Sequence, residues 1–388
     1  MRKSVRLWGA ALLVASFAAA APALATTPPA QPKDGPAGAD YPIQTGDVTK
    51  EAYGAGARQV FVFRPTRGFD GPRPAVVFGH AVNAFNPLLY GAWIDHLARH
   101  GTIVVFPRYQ LDARQPRNEL IGHAAAGVKL AMEKLGDAVD PEKVAYVGHA
   151  AGGNIVVNLA ADPSLWKPKL VLAVMPGNSW GNRYQAIKLD VLDQLPPEIV
   201  LITMIGDTDT VARDTDARKI IRQSGAVPAA RKMLIRLPTD SHGSPSLFAT
   251  HLSPLAQNES YEMDKIPVVD ADAPPPVQLD AKGRPRRAAP AKTTVVPSPQ
   301  PDQFAGAQVD ALDWYGLWKT LDIAMPIAFA GEDATPIKRH PGFTSMGLWS
   351  DGWPVKRLSY ESAREPHSQP QADSQQPATT STATRPKR

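Results

Sequence analysis

Between residues 59 and 237, short apolar runs of strand length alternate with longer helical patterns. The runs cover 59–63, 75–78, 103–106, 144–147, 170–174, 199–204 and 232–236. Helical patterns fall at 89–100, 124–135, 154–159 and 212–223. The middle runs, such as Leu170-Val171-Leu172-Ala173-Val174, are continuously apolar. A strand reads this way when both of its faces are covered. Such a chain has few solutions, because crossovers between parallel strands are right-handed and place helices on both sides of the sheet. The expected fold class is therefore α/β, with a mostly parallel central sheet.

The ends of the chain read differently. Arg2, Lys3 and Arg6 precede an apolar run to about Ala21, and Ala23-Leu24-Ala25 fits the small-x-small rule for cleavage. Residues 1–25 are thus expected to be a signal peptide, cut after Ala25, and the mature protein to be secreted or periplasmic with no membrane span. A retained anchor is the alternative. Residues 26–43, rich in Pro, Ala and Gly, are expected to form a flexible leader. A single domain is expected over 44–360, interrupted at 266–301, where nine of 36 residues are proline. That insertion, with Arg284-Pro285-Arg286-Arg287 inside it, reads as extended and disordered. Trp314, Leu317, Trp318, Leu321 and Met325 recur at helical spacing, so an amphipathic helix is expected over 309–324. The Gln-, Ser-, Thr- and Pro-rich stretch 361–388 reads as a disordered tail.

Charge and cysteine usage exclude several function classes. The 388 residues carry a formal net charge of +5. Removing 1–25 takes away three basic residues and no acidic one, which leaves 39 basic against 37 acidic. No nucleic-acid partner is expected from that balance. The chain has no cysteine, so disulfides, thiolate nucleophiles and cysteine metal sites are all excluded. No His, Asp and Glu cluster has zinc-like spacing, and no metal or cofactor is expected. His96 and His100 read as packing or surface residues.

The chemistry-bearing segment is Val144-Ala145-Tyr146-Val147-Gly148-His149-Ala150-Ala151-Gly152-Gly153-Asn154. An apolar strand runs into Gly148 and a helix leaves after Gly152, the setting of a G-x-S-x-G nucleophile elbow with Ala150 in the serine position. Gly148 and Gly152 are required because side chains there would collide with sheet and helix in so tight a turn. Gly148-His149-Ala150-Ala151-Gly152-Gly153 resembles the elbow of esterase, lipase and dienelactone-hydrolase-like members of the α/β-hydrolase family. The resemblance extends over 44–263 and 304–360, and includes Trp314-Tyr315-Gly316-Leu317-Trp318-Lys319 and 346–352.

The resemblance implies further site residues. Gly206-Asp207-Thr208-Asp209 follows a strand where the family carries its triad acid, which nominates Asp209, with Asp207 second. Asp240-Ser241-His242-Gly243 follows the next strand, which nominates His242 as the base, with His251 in reserve. The order nucleophile, acid, histidine matches the family. Val76-Val77-Phe78-Gly79-His80-Ala81-Val82 resembles the turn that supplies part of the oxyanion hole. Backbone donors are expected from Ala151 and from Ala81 or Val82. The family usually has glycine in place of Ala81.

A methyl group cannot form an acyl-enzyme. In a serine hydrolase, loss of the serine lowers turnover by about 10⁶-fold. Neither Ser179, after the run 170–174, nor His149 replaces it by sequence. Three functions remain open. The first is a pseudohydrolase that binds a small ester-like or lipid-like ligand or a protein partner. The second is an enzyme that uses the acid and base alone. The third is a cell-envelope protein that binds through its proline-rich segments.

Overall fold

The computed structural model describes residues 25–40, 46–67, 71–182, 185–269 and 307–363. All but the last residue of the expected signal peptide, most of the proline-rich insertion and all but the start of the tail lie outside them.

The strands are β1 (Val48–Tyr53), β2 (Val60–Pro65), β3 (Arg73–Gly79), β4 (Ile103–Pro107), β5 (Val139–His149), β6 (Leu170–Val174), β7 (Val200–Gly206), β8 (Lys232–Leu237) and β9 (Ser359–Ser362). They form one sheet in the order β1-β2-β4-β3-β5-β6-β7-β8-β9. From β4 to β8 every pairing is parallel, whereas β1, β2 and β9 join antiparallel at the two ends. All seven apolar runs in the sequence are strands. β1 was illegible because Val-Thr-Lys-Glu-Ala-Tyr has no apolar face until its last two residues, which are also the two that it buries.

Helices α1 (Gly91–Arg99), α2 (Leu120–Leu135), α3 (Ala151–Ala160), α4 (Thr215–Gln223), α5 (Lys319–Phe329) and α6 (Thr335–Arg339) cover the sheet. α1, α5 and α6 bury Trp93, Leu97, Leu321 and Ile337 on one face. α2, α3 and α4 bury Leu120, Ile155 and Ala217 on the other. Two apolar layers around one sheet explain why the central strands carry no polar face. The expected amphipathic helix over 309–324 differs in form. It opens with a π-helical turn, Asp313–Trp318, and α5 is buried nearly all round, including Lys319, Thr320 and Asp322.

Residues 26–40, within the flexible leader expected over 26–43, are instead fastened to the late part of the chain. Thr27 N–H donates to Ser350 Oγ at 2.9 Å, and Ser244 N–H donates to Thr26 O at 2.8 Å. Tyr315 donates its hydroxyl to Ala30 O at 3.1 Å. Ala37 is fully buried, and its N–H donates to Asp322 Oδ2 at 2.7 Å. The same carboxylate oxygen lies 2.9 Å from His96 Nε2, under the ring of Trp318. Proline-rich composition reports low local order, but it says nothing of distant partners. The other boundaries shift for the same reason. Residues 267 and 269 hydrogen-bond to Ala52 on β1, so the insertion begins as a sheet edge. Glu361, placed in the tail, belongs to β9 and is clasped by Arg218 of α4 at 2.7 and 2.9 Å.

Asp322→Ala strips the acceptor from two buried groups at once. We expect a loss of about 2–5 kcal/mol in equilibrium unfolding and new protease cleavage within 26–40. Asp322→Asn keeps one acceptor oxygen and is expected to lose less.

Candidate functional site

The turn from β5 into α3 is built from backbone contact. A Cβ on Gly148 would lie 2.2 Å from Gly152 O, and one on Gly152 would lie 2.3 Å from the carbonyl of Gly79. The ends of β3 and β5 and the first turn of α3 therefore touch main chain to main chain. Between the two glycines, Ala150 sits at φ 53°, ψ −118°, a conformation that a residue with a Cβ rarely adopts. Its N–H is held by Val174 O at 2.9 Å, and its carbonyl accepts from Gly153 and Gly177. The neighbouring sheet thus enforces a strain of about 1–3 kcal/mol at a residue that is only 2% exposed.

Further positive-φ residues follow the strand ends: Asn83 after β3, Met175 and Asn178 after β6, and Arg213 after β7. Strain of this kind gathers where loops are bent to present side chains.

Asp209 lies in the loop after β7. Its side chain is buried; Oδ1 accepts from the N–H groups of Val211 and Ala212 at 2.8 and 2.9 Å. Burial opposes its charge, but the hydrogen bond from His251 and these two amides outweigh it and hold the carboxyl below its ordinary range. Asp207, the second choice, is exposed and accepts instead from Thr239 N–H.

The histidine beside Asp209 is His251, the reserve choice. Its Nδ1 lies 2.9 Å from Asp209 Oδ2. His242, the first choice, is elsewhere, with Nε2 at 2.7 Å from Asp351 Oδ2 on the surface. The reason is the path of the chain after β8. Asp240 is anchored by Trp349 Nε1–H and Lys356 N–H, which turns His242 toward the late segment. The chain then returns over β7, so close that a Cβ on Gly206 would lie 2.2 Å from Ala249 O. That return delivers His251. Two histidines following one strand are indistinguishable by order alone, and no local signal separates them.

His251 also reaches the elbow. Its carbonyl oxygen lies 2.8 Å from Nε2 of His149, the residue before Ala150, and the two rings are 5.1 Å apart. The network assigns the tautomers. Ala81 N–H donates to Tyr90 Oη at 2.9 Å, and Tyr90 donates onward to His149 Nδ1 at 2.9 Å. His149 must then carry its proton on Nε2 and donate to the His251 carbonyl. Burial, with His251 next, lowers His149 to about 3, so it stays neutral. His251 donates Nδ1–H to Asp209; in the neutral ring Nε2 then carries the lone pair.

This chain of bonds changes the expected oxyanion donors. Ala151 opens α3, where the first amides have no partner within the helix. The Ala81 amide is committed to Tyr90. Ala81 also lacks a positive φ, which falls at Asn83 instead, where Gln110 holds the backbone N–H at 2.7 Å. Val82 is half-buried beside them. Ser179 is equally committed: its hydroxyl donates to the buried Asp216, with Asn154 on the same carboxylate at 2.8 Å. It braces the loop after β6.

Exposed apolar side chains occur on the loops after β6, β7 and β8. Val211 is two residues from Asp209, Leu252 adjoins His251, Phe248 begins the same bend, and Trp180 tips the loop after β6. Among the described residues, no group of three His, Asp or Glu is placed to hold a metal ion. No described helix is long and apolar enough to cross a membrane. In comparisons with known proteins, no family model and no curated protein matches the chain.

A pH dependence of stability follows from the buried histidines. His80, stacked 3.8 Å from Tyr109, is also lowered to about 3, chiefly by burial. Both histidines are neutral in the fold and take up protons near pH 6.5 once unfolded. Stability is then complete above about pH 6.5 and lost as pH falls toward 3, by about 1.4 kcal/mol per histidine per pH unit. Thermal unfolding is expected to give a flat Tm from pH 8 to 7 and a steep fall below 6.

Proposed function

We propose that this chain is an exported protein of the α/β-hydrolase fold that binds a small ester-like or lipid-like ligand without turning it over. One observation carries the reading: Ala150 is held at φ 53°, ψ −118° beside an intact Asp209–His251 pair. That conformation costs free energy and serves no packing need that glycine would not meet. It is what a nucleophile requires in order to point out of a strand end. The parallel order from β4 to β8 and the crossing from β5 into α3 support the same fold.

The missing part is the oxygen. Asp209 orients His251 and leaves Nε2 able to accept a proton, but the methyl of Ala150 offers none. With Ala81 bound to Tyr90, Ala151 and Val82 are the expected donors left for a developing oxyanion. Trp180, Val211, Phe248 and Leu252, each exposed on the loops after β6, β7 and β8, favour an apolar ligand. Binding without bond cleavage is the chemistry that remains.

Purified protein is expected to show no burst and no labelling by a fluorophosphonate probe, with turnover of p-nitrophenyl esters at background. Ala150→Ser supplies the hydroxyl beside His251. It is expected to gain covalent labelling and to raise ester turnover by about 10²-fold or more, short of a complete hydrolase because one oxyanion donor is committed. A serine variant that folds but takes no label would sink the assignment of the dyad.

A second reading rests on the free lone pair of His251 Nε2, which suits a general base acting on water or on a substrate C–H. It requires activity in the native protein that His251→Ala lowers by about 10²-fold, while His242→Ala leaves it unchanged.

A further inference from the structure

His242, turned away from the elbow, belongs to a second constellation. Loop 242–244 and loop 349–351 face each other across the start of the described chain. Thr26 O accepts from Ser244 N–H at 2.8 Å, Thr27 N–H donates to Ser350 Oγ at 2.9 Å, and Ser350 N–H donates to Thr27 O at 3.0 Å. The fit is close. A Cβ on Gly243 would lie 2.4 Å from Thr26 O and 2.6 Å from the ring of Trp349. Residues 26 and 27 are thus clamped from both sides, as an added strand residue would be.

One carboxylate in the clamp has no lysine or arginine partner among the described residues. Asp351 Oδ2 takes His242 Nε2 at 2.7 Å and the Thr26 hydroxyl at 3.4 Å, while Oδ1 takes Trp353 N–H at 3.0 Å. The His242 ring is held beside Trp349 and nearly parallel to Trp353, so its position is set by packing. The α-nitrogen of Thr26 is three bonds from the hydroxyl that reaches Asp351. It is also the atom that cleavage after Ala23-Leu24-Ala25 would convert from an amide into an ammonium.

We propose that the Thr26–Asp351–His242 clamp is a binding site for the chain's own processed amino terminus: cleavage after Ala25 frees the Thr26 α-ammonium, and Asp351 captures it. The clamp holds the leader by main-chain bonds in either form, and processing adds the ion pair. Capture of an amino terminus among backbone partners is a recurring mode of recognition, and here a carboxylate stands beside those partners. Here it ties residues 26–40 to the late segment that carries Asp322, and so couples export to the final closure of the fold. Nothing in it depends on the dyad, and ester turnover is not among its readouts.

The test begins with the mass of the chain exported by a secreting host, expected to start at Thr26. Two forms running from Thr26 to Arg388 are then compared, one with a free amino terminus and one Nα-acetylated. The free form is expected to melt about 1–3 °C higher. Asp351→Asn is expected to erase that difference. Amide hydrogen exchange at Ser244 and Ser350 is expected to be slower in the free form, which reads the clamp without any substitution. Equal melting and equal exchange of the two forms would overturn the proposal. So would a difference that survives Asp351→Asn, or an exported chain that starts elsewhere.

Discussion

Main-chain contact among Gly79, Gly148 and Gly152 is the constraint on which the rest of the molecule depends. Three segments meet there with no room for a Cβ. The end of β3 must lie against the first turn of α3, so α3 leaves β5 at one angle only. α3 then lies across β3, β5 and β6, and the apolar runs on either side can close over the sheet. A side chain at either elbow glycine would push apart two backbones, which have no rotamers with which to give way. The same closeness leaves Ala150 no relaxed conformation, because Val174 O and Gly177 N–H hold its peptide groups on both sides.

Chemistry collects at the carboxyl ends of the parallel strands for a related reason. Each strand there ends in a loop that must turn back over a helix, and these loops carry the positive-φ residues Asn83, Met175, Asn178 and Arg213. They bring together groups far apart in sequence. Asp209 comes from the loop after β7, and His251 from the second pass of the loop after β8. Tyr90 comes from the turn into α1. The chain Ala81, Tyr90, His149, His251, Asp209 runs through four segments of backbone, with each donor and acceptor used once. Its members are nearly all buried, so proton positions are set by the network and not by solvent.

Much of the site was legible because its elements obey local rules. Gly148 and Gly152 flank a residue between an apolar strand and a helix, and that pattern alone places the turn. Asp209 follows a strand in the right order. The histidine that meets Asp209 was not legible. His242 stands nearer the end of β8, with the Asp-Ser-His-Gly look of a functional loop, yet Trp349 and Lys356 pull Asp240 and its neighbours to the other side. The partners responsible lie more than a hundred residues away, and no window of sequence contains them. The leader misled in the same way: Pro and Gly describe what 26–40 can do alone, whereas Asp322 and Ser350 decide what it does.

The sequence by itself determined the α/β class, the seven central strands, and the glycine-flanked turn from β5 into α3 with an alanine at its centre. These rest on residue types within a few positions of one another, where sterics and hydrophobic period act directly. Only the tertiary structure decided which histidine meets Asp209, that the Ala81 amide is spent on Tyr90, and that the leader and β9 close the fold. Those outcomes depend on how loops return across a finished sheet. Their energies come from contacts between distant segments, and such contacts exist only once the sheet has brought the segments together.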